Sequence, residues 1–345
     1  MLDTIDHDLS FNPPPIPVTI LTGFLGAGKT TLLNRILNGD HGLRAAVLVN
    51  DFGSINIDAE LVVGVENNVI SLANGCICCS LRDDLVQTIL QTIDHPEQPE
   101  YILLEASGVA DPIGIAMTFN NPRVLDRIRM DSITCVVDSE QVFAHPEYPM
   151  VMDLQLRQIA SADMLILNKV DLAGAEQVEK VKRMIDERFN NIRIMEANYC
   201  EVPYEILLAV GRFDPIGMAT ETILHDSHTP FNIDVHGKGE HEHGSEHRPT
   251  FDTWSYETDG SLSLEALRKT ARKLPGGVFR CKGIIRTADV PDHPVVLQVV
   301  GRRVDITLLE KWNGNKPGTR IVVIGAPGSI DEMDLRQRFD ACVLQ

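Results

Sequence analysis

The chain has 345 residues, 43% of them apolar, and a formal net charge of −18. The apolar content excludes a wholly disordered chain, and the length accommodates one large or two ordinary domains with real cores. The acidic excess excludes nucleic acid or an anionic membrane as the main partner, since both require a basic surface. It leaves room for one anion in a local pocket and suits a protein that handles cations.

Residues 1–15 read as an acidic tail running into Pro13, Pro14 and Pro15, an extended start that no helix can use. The segment Met1–Asp8 lacks the apolar core of a signal peptide. No apolar run approaches the ~18 residues of a membrane span. A cytoplasmic location is therefore expected. Near-continuous apolar runs follow at Val18–Leu21, Ala45–Asn50, Tyr101–Glu105, Ile133–Asp138, Met164–Asn168 and Ile192–Ala197. Runs that do not alternate suit strands buried on both faces of a parallel sheet. Helical patterns separate them at Lys29–Leu37, Asp83–Gln91, Met152–Ala160 and Glu176–Phe189. The alternation predicts an α/β domain over 16–215, a doubly wound and mostly parallel sheet of the P-loop NTPase kind. Residues 216–249 carry six of the 11 histidines and almost nothing apolar after Val235, and read as a linker. Over 250–345 strands at Thr250–Glu257, Val278–Ile285, Val295–Val300 and Ile321–Ile324, with helices at Leu264–Leu274 and Ile330–Cys342, predict a smaller α+β domain.

The segment Gly23-Phe24-Leu25-Gly26-Ala27-Gly28-Lys29-Thr30 fits G-x-x-x-x-G-K-[ST] between a predicted strand and a predicted helix, the context this phosphate loop requires. Its glycines let backbone N–H groups converge on phosphate oxygens, and the helix N-terminus adds positive potential. Lys29 is expected on the β- and γ-phosphates and the Thr30 hydroxyl on Mg²⁺. Asn168-Lys169-Val170-Asp171, at the end of a late strand, is the N-K-x-D pattern of guanine readers. A carboxylate at Asp171 can accept from both N1–H and N2–H₂ of guanine, whereas adenine would leave it desolvated and unsatisfied. Between the two motifs Glu105 ends a buried strand three residues before Gly108. It is expected either behind Mg²⁺ through water or orienting the attacking water. Asp51, ending the second strand, is expected to face Mg²⁺ in one nucleotide state.

Three of the seven cysteines fall within four residues, Cys76, Cys78 and Cys79, just before a predicted helix. Thiolates there have lowered pKa values and are better ligands. Soft sulfur suits Zn²⁺, Cu(I) and, less selectively, Co²⁺ or Ni²⁺. Cys76 and Cys78 can converge on one ion, with Cys79 as third ligand or exchange partner, leaving a fourth tetrahedral position open as delivery requires. Cys135, Cys200, Cys281 and Cys342 lie scattered in apolar runs and read as packing residues. His236, His241, His243 and His247, among Glu240, Glu242 and Glu246, predict weak multidentate capture of metal without one defined site.

Together these blocks resemble the CobW family of P-loop GTPases, relatives of the GTPases that assist nickel-enzyme maturation. The resemblance is carried by Thr22–Thr31, Asn50-Asp51-Phe52-Gly53, the N-G-C-I-C-C-S of Asn74–Ser80, Glu105-Ala106-Ser107-Gly108, Asn168–Asp171, the histidine-rich stretch and the segment from Gly276 to Gly283. Two positions depart from the family: Asp51 stands where members often carry Glu, and Ser54 where they carry a second Glu. The resemblance implies GTP hydrolysis coupled to metal binding and insertion of metal into a client protein. It assigns phosphates to Gly26–Thr31, guanine to Asn168, Lys169 and Asp171, and metal to Cys76, Cys78 and Cys79. Zinc is the first expectation, with cobalt for cobalamin synthesis, or iron or cobalt for a nitrile-hydratase-like client, as alternatives. The expected partners are GTP, a transition-metal ion and a client metalloprotein, with a nucleotide- or metal-dependent homodimer left open. The rivals are a regulatory G protein whose cysteines sense redox state and an ATP-dependent small-molecule kinase.

Overall fold

The computed structural model describes residues 15–39, 41–50, 69–71, 81–142, 148–189, 192–208, 252–309, 311–312 and 316–344. The first unit is a seven-stranded sheet in the order β3-β2-β4-β1-β5-β6-β7. Its strands are β1 (Ile16–Thr22), β2 (Ala45–Asn50), β3 (Val69–Ser71), β4 (Tyr101–Ala106), β5 (Ile128–Asp138), β6 (Met164–Asn168) and β7 (Arg193–Ala197). Every pairing in it is parallel, which sharpens the mostly parallel sheet of the sequence reading. The apolar runs are explained by burial on both sides. Leu21, Val47, Leu103 and Ile166 face one core, shared with Leu32, Leu33 and Ile36 of α1 (Lys29–Leu37). Val18, Ile20, Leu48 and Leu104 face another, filled by Val86 and Ile89 of α2 (Leu81–Ile93). Also in this layer are α3 (Pro112–Ala116), a 3₁₀ turn (Met117–Asn120), α4 (Pro149–Ser161) and α5 (Val170–Arg188). A short α6 (Tyr204–Leu207) closes the described part of this unit on the α1 side.

Helix α5 starts six residues before its predicted start at Glu176 and breaks at Gly174 (φ 75°, ψ 159°). The apolar stripe Val178, Val181 and Ile185 marks only the part beyond that break, so the first turn was silent in the periodicity. Strand β3 has three residues, too short to carry a periodic signal.

The second unit is an antiparallel sheet in the order β11-β10-β9-β12-β8. It comprises β8 (Asp252–Thr258), β9 (Val278–Arg286), β10 (Pro294–Val300), β11 (Arg303–Leu308) and β12 (Thr319–Gly325). Helices α7 (Leu264–Ala271) and α8 (Glu332–Asp340) cover one face through Leu267, Leu335 and Phe339. Ser263 caps α7 by accepting from the Ala266 N–H, and Asp331 caps α8 by accepting from those of Met333 and Asp334. The unpredicted β11 is intermediate or exposed throughout, which is why it lacks the apolar pattern of its neighbours.

The second unit docks against the N-terminal ends of β5, β6 and β7, away from the phosphate loop. Arg280 of β9 is 2% exposed. It donates to Asp131 Oδ2 at 2.9 Å, to the Leu207 carbonyl at 2.7 Å and to the Ile206 carbonyl. Asp131 also accepts from Tyr101 Oη at 2.7 Å, and that hydroxyl is 2.7 Å from Thr19 Oγ1. Burial alone would raise the Asp131 carboxyl, but Arg280 and then Arg129 outweigh it and hold it below its ordinary value. Arg193 at the start of β7 donates to the carbonyls of Val278 (2.7 Å) and Leu274 (3.0 Å), and Arg303 to Asp163 Oδ2 (2.8 Å). At Gly301 (φ 55°) the two units come so close that a Cβ would stand 1.9 Å from the Asp163 carbonyl oxygen.

Candidate functional site

Strand β1 lies between β4 and β5, and the chain winds away from it in opposite directions, so its C-terminal end is the switch point where open parallel sheets bind ligands. The phosphate loop occupies that point. Gly23 (φ 136°) lies against β5, where a Cβ would meet the Val136 carbonyl oxygen at 2.1 Å. Gly28 (φ 110°) immediately precedes α1, and a Cβ there would stand 2.5 Å from Asn168 Nδ2. Both positions demand glycine for close approach as well as for conformation. The Ala27 N–H closes the loop onto the Phe24 carbonyl at 3.2 Å. Lys29, 7% exposed, folds back over the loop with Nζ 3.4 Å from the same carbonyl. Gly26 and Thr31 are exposed at the mouth.

Thr30 Oγ1 donates to Glu105 Oε1 at 3.0 Å. This joins the expected magnesium hydroxyl to Glu105, the last residue but one of β4 and only 2% exposed. The chain then turns under the phosphate loop. A Cβ at Gly108 would stand 2.6 Å from Leu25 Cδ2 and 2.8 Å from the Leu25 nitrogen. Gln158 of α4 fixes this turn by donating to the carbonyls of Gly108 (3.0 Å) and Ala110 (3.2 Å). Beside the loop lies a cleft of about 270 Å³ whose wall includes Leu25, Gly26, Asp138, Gln141 and Lys169.

Asn168, expected at guanine, has its amide engaged within the protein. Nδ2 donates to the Ala27 carbonyl at 2.9 Å, and Oδ1 accepts from the Cys200 N–H at 2.8 Å. It is a strut between the phosphate loop and the turn after β7. Lys169 (φ 62°) sits at the start of α5 and pairs with Asp138 Oδ2 at 2.6 Å. Asp171 is exposed in the first turn of α5, and its N–H donates to Asn198 Oδ1 at 3.0 Å. Residues 198–200 were not singled out in the sequence as part of the site. Their signal was weak: three residues after a predicted strand, one of them a cysteine that reads as packing. The structure keeps Cys200 buried, with burial pushing its thiol up to about 12, but makes it part of the site through its backbone N–H and through Sγ, 3.2 Å from the Gly28 carbonyl.

Asp51, Cys76, Cys78, Cys79, His236, His241, His243 and His247 lie outside the described residues. Among the described residues, no group of three or more His, Cys, Asp or Glu side chains is placed to hold a metal ion. Cys135, Cys200, Cys281 and Cys342 are free and buried. Burial pushes the Cys135 thiol up to about 12, as an inert packing residue requires.

Among known proteins, the family described as CobW/HypB/UreG, nucleotide-binding domain, matches residues 17–196, and the cobalamin synthesis protein CobW C-terminal domain matches 251–343. A Sinorhizobium protein named zinc chaperone CobW is 32% identical over 96% of this chain and 98% of its own length. The zinc chaperone CobW of Pseudomonas aeruginosa is 33% identical over 90% of this chain and 87% of its own. A Dictyostelium discoideum protein, zinc-regulated GTPase metalloprotein activator 1, is 28% identical over 86% and 68%. With phosphate loop, buried Glu105 and Asp171 turn converging on one end of a parallel sheet, the chain belongs to the CobW/HypB/UreG family.

Proposed function

We propose that this protein is a GTP-hydrolysing zinc metallochaperone. The observation that carries the nucleotide half is the convergence of Lys29, the Thr30–Glu105 pair and the Asn168 strut on one mouth. The metal half rests on Cys76, Cys78 and Cys79 in the sequence and on relatives named zinc chaperones.

Backbone N–H groups of the loop and the α1 N-terminus take the phosphates, and Lys29 swings from the Phe24 carbonyl onto the β- and γ-phosphates. Asp171 reads the guanine edge. The Thr30 hydroxyl, with the Glu105 carboxylate behind it through water, would hold Mg²⁺ by hard oxygen donors, and the ion would neutralise charge on the transferred phosphoryl group. Water attacks the γ-phosphorus, the bond to the β,γ-bridging oxygen breaks, and GDP and phosphate leave. In the alternative role Glu105 stands clear of the ion and orients that water from the end of β4. In sequence the cysteines lie between β3 and α2, and Asp51 directly follows β2, the strand paired with β4. A change of nucleotide thus has a short route to the cysteine segment, and the zinc cargo is passed to a client in one nucleotide state.

The test is zinc titration of the full chain with and without GTP, repeated on Cys78→Ser. The expected result is loss of tight binding and of its dependence on GTP. Unchanged affinity and unchanged GTP dependence would overturn the reading.

A further inference from the structure

Asp171 reads only one edge of a guanine base; the two faces of the ring are apolar and gain from being covered. We propose that Tyr199 is the aromatic wall on which the guanine ring stacks. The inference rests on the guanine reading of the site and extends it to a residue outside the N-K-x-D motif.

Three observations lead there. First, Tyr199 is bolted in place on both sides: Asn198 Oδ1 accepts from the Asp171 N–H at 3.0 Å, and the Cys200 N–H donates to Asn168 Oδ1 at 2.8 Å. The turn holding Tyr199 is thereby tied to the two ends of the guanine-reading motif. Second, its backbone is strained. Tyr199 has φ 49° and Cys200 φ 56°, consecutive non-glycine residues in the left-handed region. Such a conformation costs roughly 1–2 kcal/mol per residue. It persists where the surroundings over-determine it, and it clusters at ligand sites. Here Arg35 Nε adds a third fixing point by donating to the Tyr199 carbonyl at 2.7 Å. Third, Tyr199 is 70% exposed. Tyr199 thus combines a fixed backbone with an exposed side chain, next in the chain to the Asn198 that accepts from the Asp171 N–H. Leu172, next to Asp171 in the chain, is likewise exposed, at 61%. An aromatic face is tolerant of base identity, so the ring supplies affinity while the carboxylate supplies discrimination.

The experiment measures GDP, IDP and ADP binding by calorimetry on the full-length wild type and on Tyr199→Phe, Tyr199→Ala and Tyr199→Gly. Base stacking is worth about 1–3 kcal/mol by alanine substitution, so the Ala and Gly variants are expected to bind GDP about 5- to 150-fold more weakly. Tyr199→Phe is expected to stay within about twofold, since the ring remains. IDP lacks the 2-amino group that Asp171 accepts from, so the GDP-to-IDP ratio reports the carboxylate alone. If the ring stacks, both nucleotides weaken together and that ratio is unchanged in every variant. Glycine relieves the left-handed strain, so Tyr199→Gly is expected to unfold at or above the wild-type temperature without nucleotide. It keeps the test open even where alanine perturbs the turn. GDP binding by Tyr199→Ala and Tyr199→Gly within twofold of wild type would overturn the proposal. So would a GDP-to-IDP ratio that collapses toward one, since that would make Tyr199 a support for Asp171 instead. Equal wild-type affinity for GDP and ADP would overturn the guanine reading itself, and is read before any variant.

Discussion

Replacing Arg280 by methionine removes the charge that holds Asp131 at the junction of the two units. Methionine fills most of the same space and keeps the apolar stem, so the loss is chiefly of charge and hydrogen bonds. The guanidinium gives up its bonds to Asp131 Oδ2 and to the carbonyls of Ile206 and Leu207, all of them buried. Asp131 keeps Tyr101 Oη at 2.7 Å and Arg129 at 3.4 Å. Breaking a buried pair from one side costs about 3–5 kcal/mol, because the remaining charge stays desolvated. At roughly 2–4 °C per kcal/mol for a domain of this size, the melting temperature should fall by about 6–20 °C. Thermal unfolding followed by circular dichroism measures it, and the double variant Arg280→Met with Asp131→Asn should recover a good part of the loss. The pH dependence has a definite sign. The Asp131 carboxyl is held below its ordinary value, so its contribution is present above the unfolded value of about 3.9 and is lost as the pH falls through the folded one. The gap between wild type and variant should therefore narrow below about pH 4. A drop of less than 2 °C at pH 7 would refute the reasoning, since it would mean that this pair is not holding the units together.

Asp171→Asn replaces an acceptor with a group that also donates. It should lower GTP affinity about 10- to 150-fold, from one charge-assisted hydrogen bond of about 1.5–3 kcal/mol, and raise affinity for xanthosine triphosphate, whose base carries an acceptor at that edge. Nucleotide competition decides it, and unchanged preference would remove Asp171 from the site. Gly108→Ala places a methyl group 2.8 Å from the Leu25 nitrogen, a backbone atom that cannot yield without moving the phosphate loop. A misplacement near 1 Å costs about 10²-fold in rate, so GTP turnover should fall by about that factor. A wild-type kcat would show that the loop absorbs the methyl group elsewhere.

The parts of this molecule legible in its sequence are those with a strong local cause. The phosphate loop announced itself because closing a strand onto a helix around phosphate takes glycines at fixed spacing followed by Lys29 and Thr30. The parallel sheet was legible because burial on both faces turns β1, β4, β5 and β6 into unbroken apolar runs. The role of Asn168 was not: its residue type says only that an amide is present, and the Ala27 and Cys200 partners lie 141 and 32 residues away. Tyr199 was equally silent, because exposure and left-handed backbone are set by the contacts of its neighbours. Arg280 was hidden for the same reason, since a charge inside an apolar strand gains its meaning from Asp131 in a different unit.

The seating of the second unit gives the molecule two poles. The phosphate loop stands at the end of the sheet where the strands finish, and the second unit grips the end where β5, β6 and β7 begin. Thr19, linked through Tyr101 and Asp131 to Arg280, is four residues from Gly23 along β1, about 13 Å of extended chain. Among the described residues, the second unit thus stays clear of the mouth. Among those same described residues, a route from the nucleotide to the second unit runs lengthwise, with β1 as a rod whose far end is held by a tyrosine, an aspartate and an arginine.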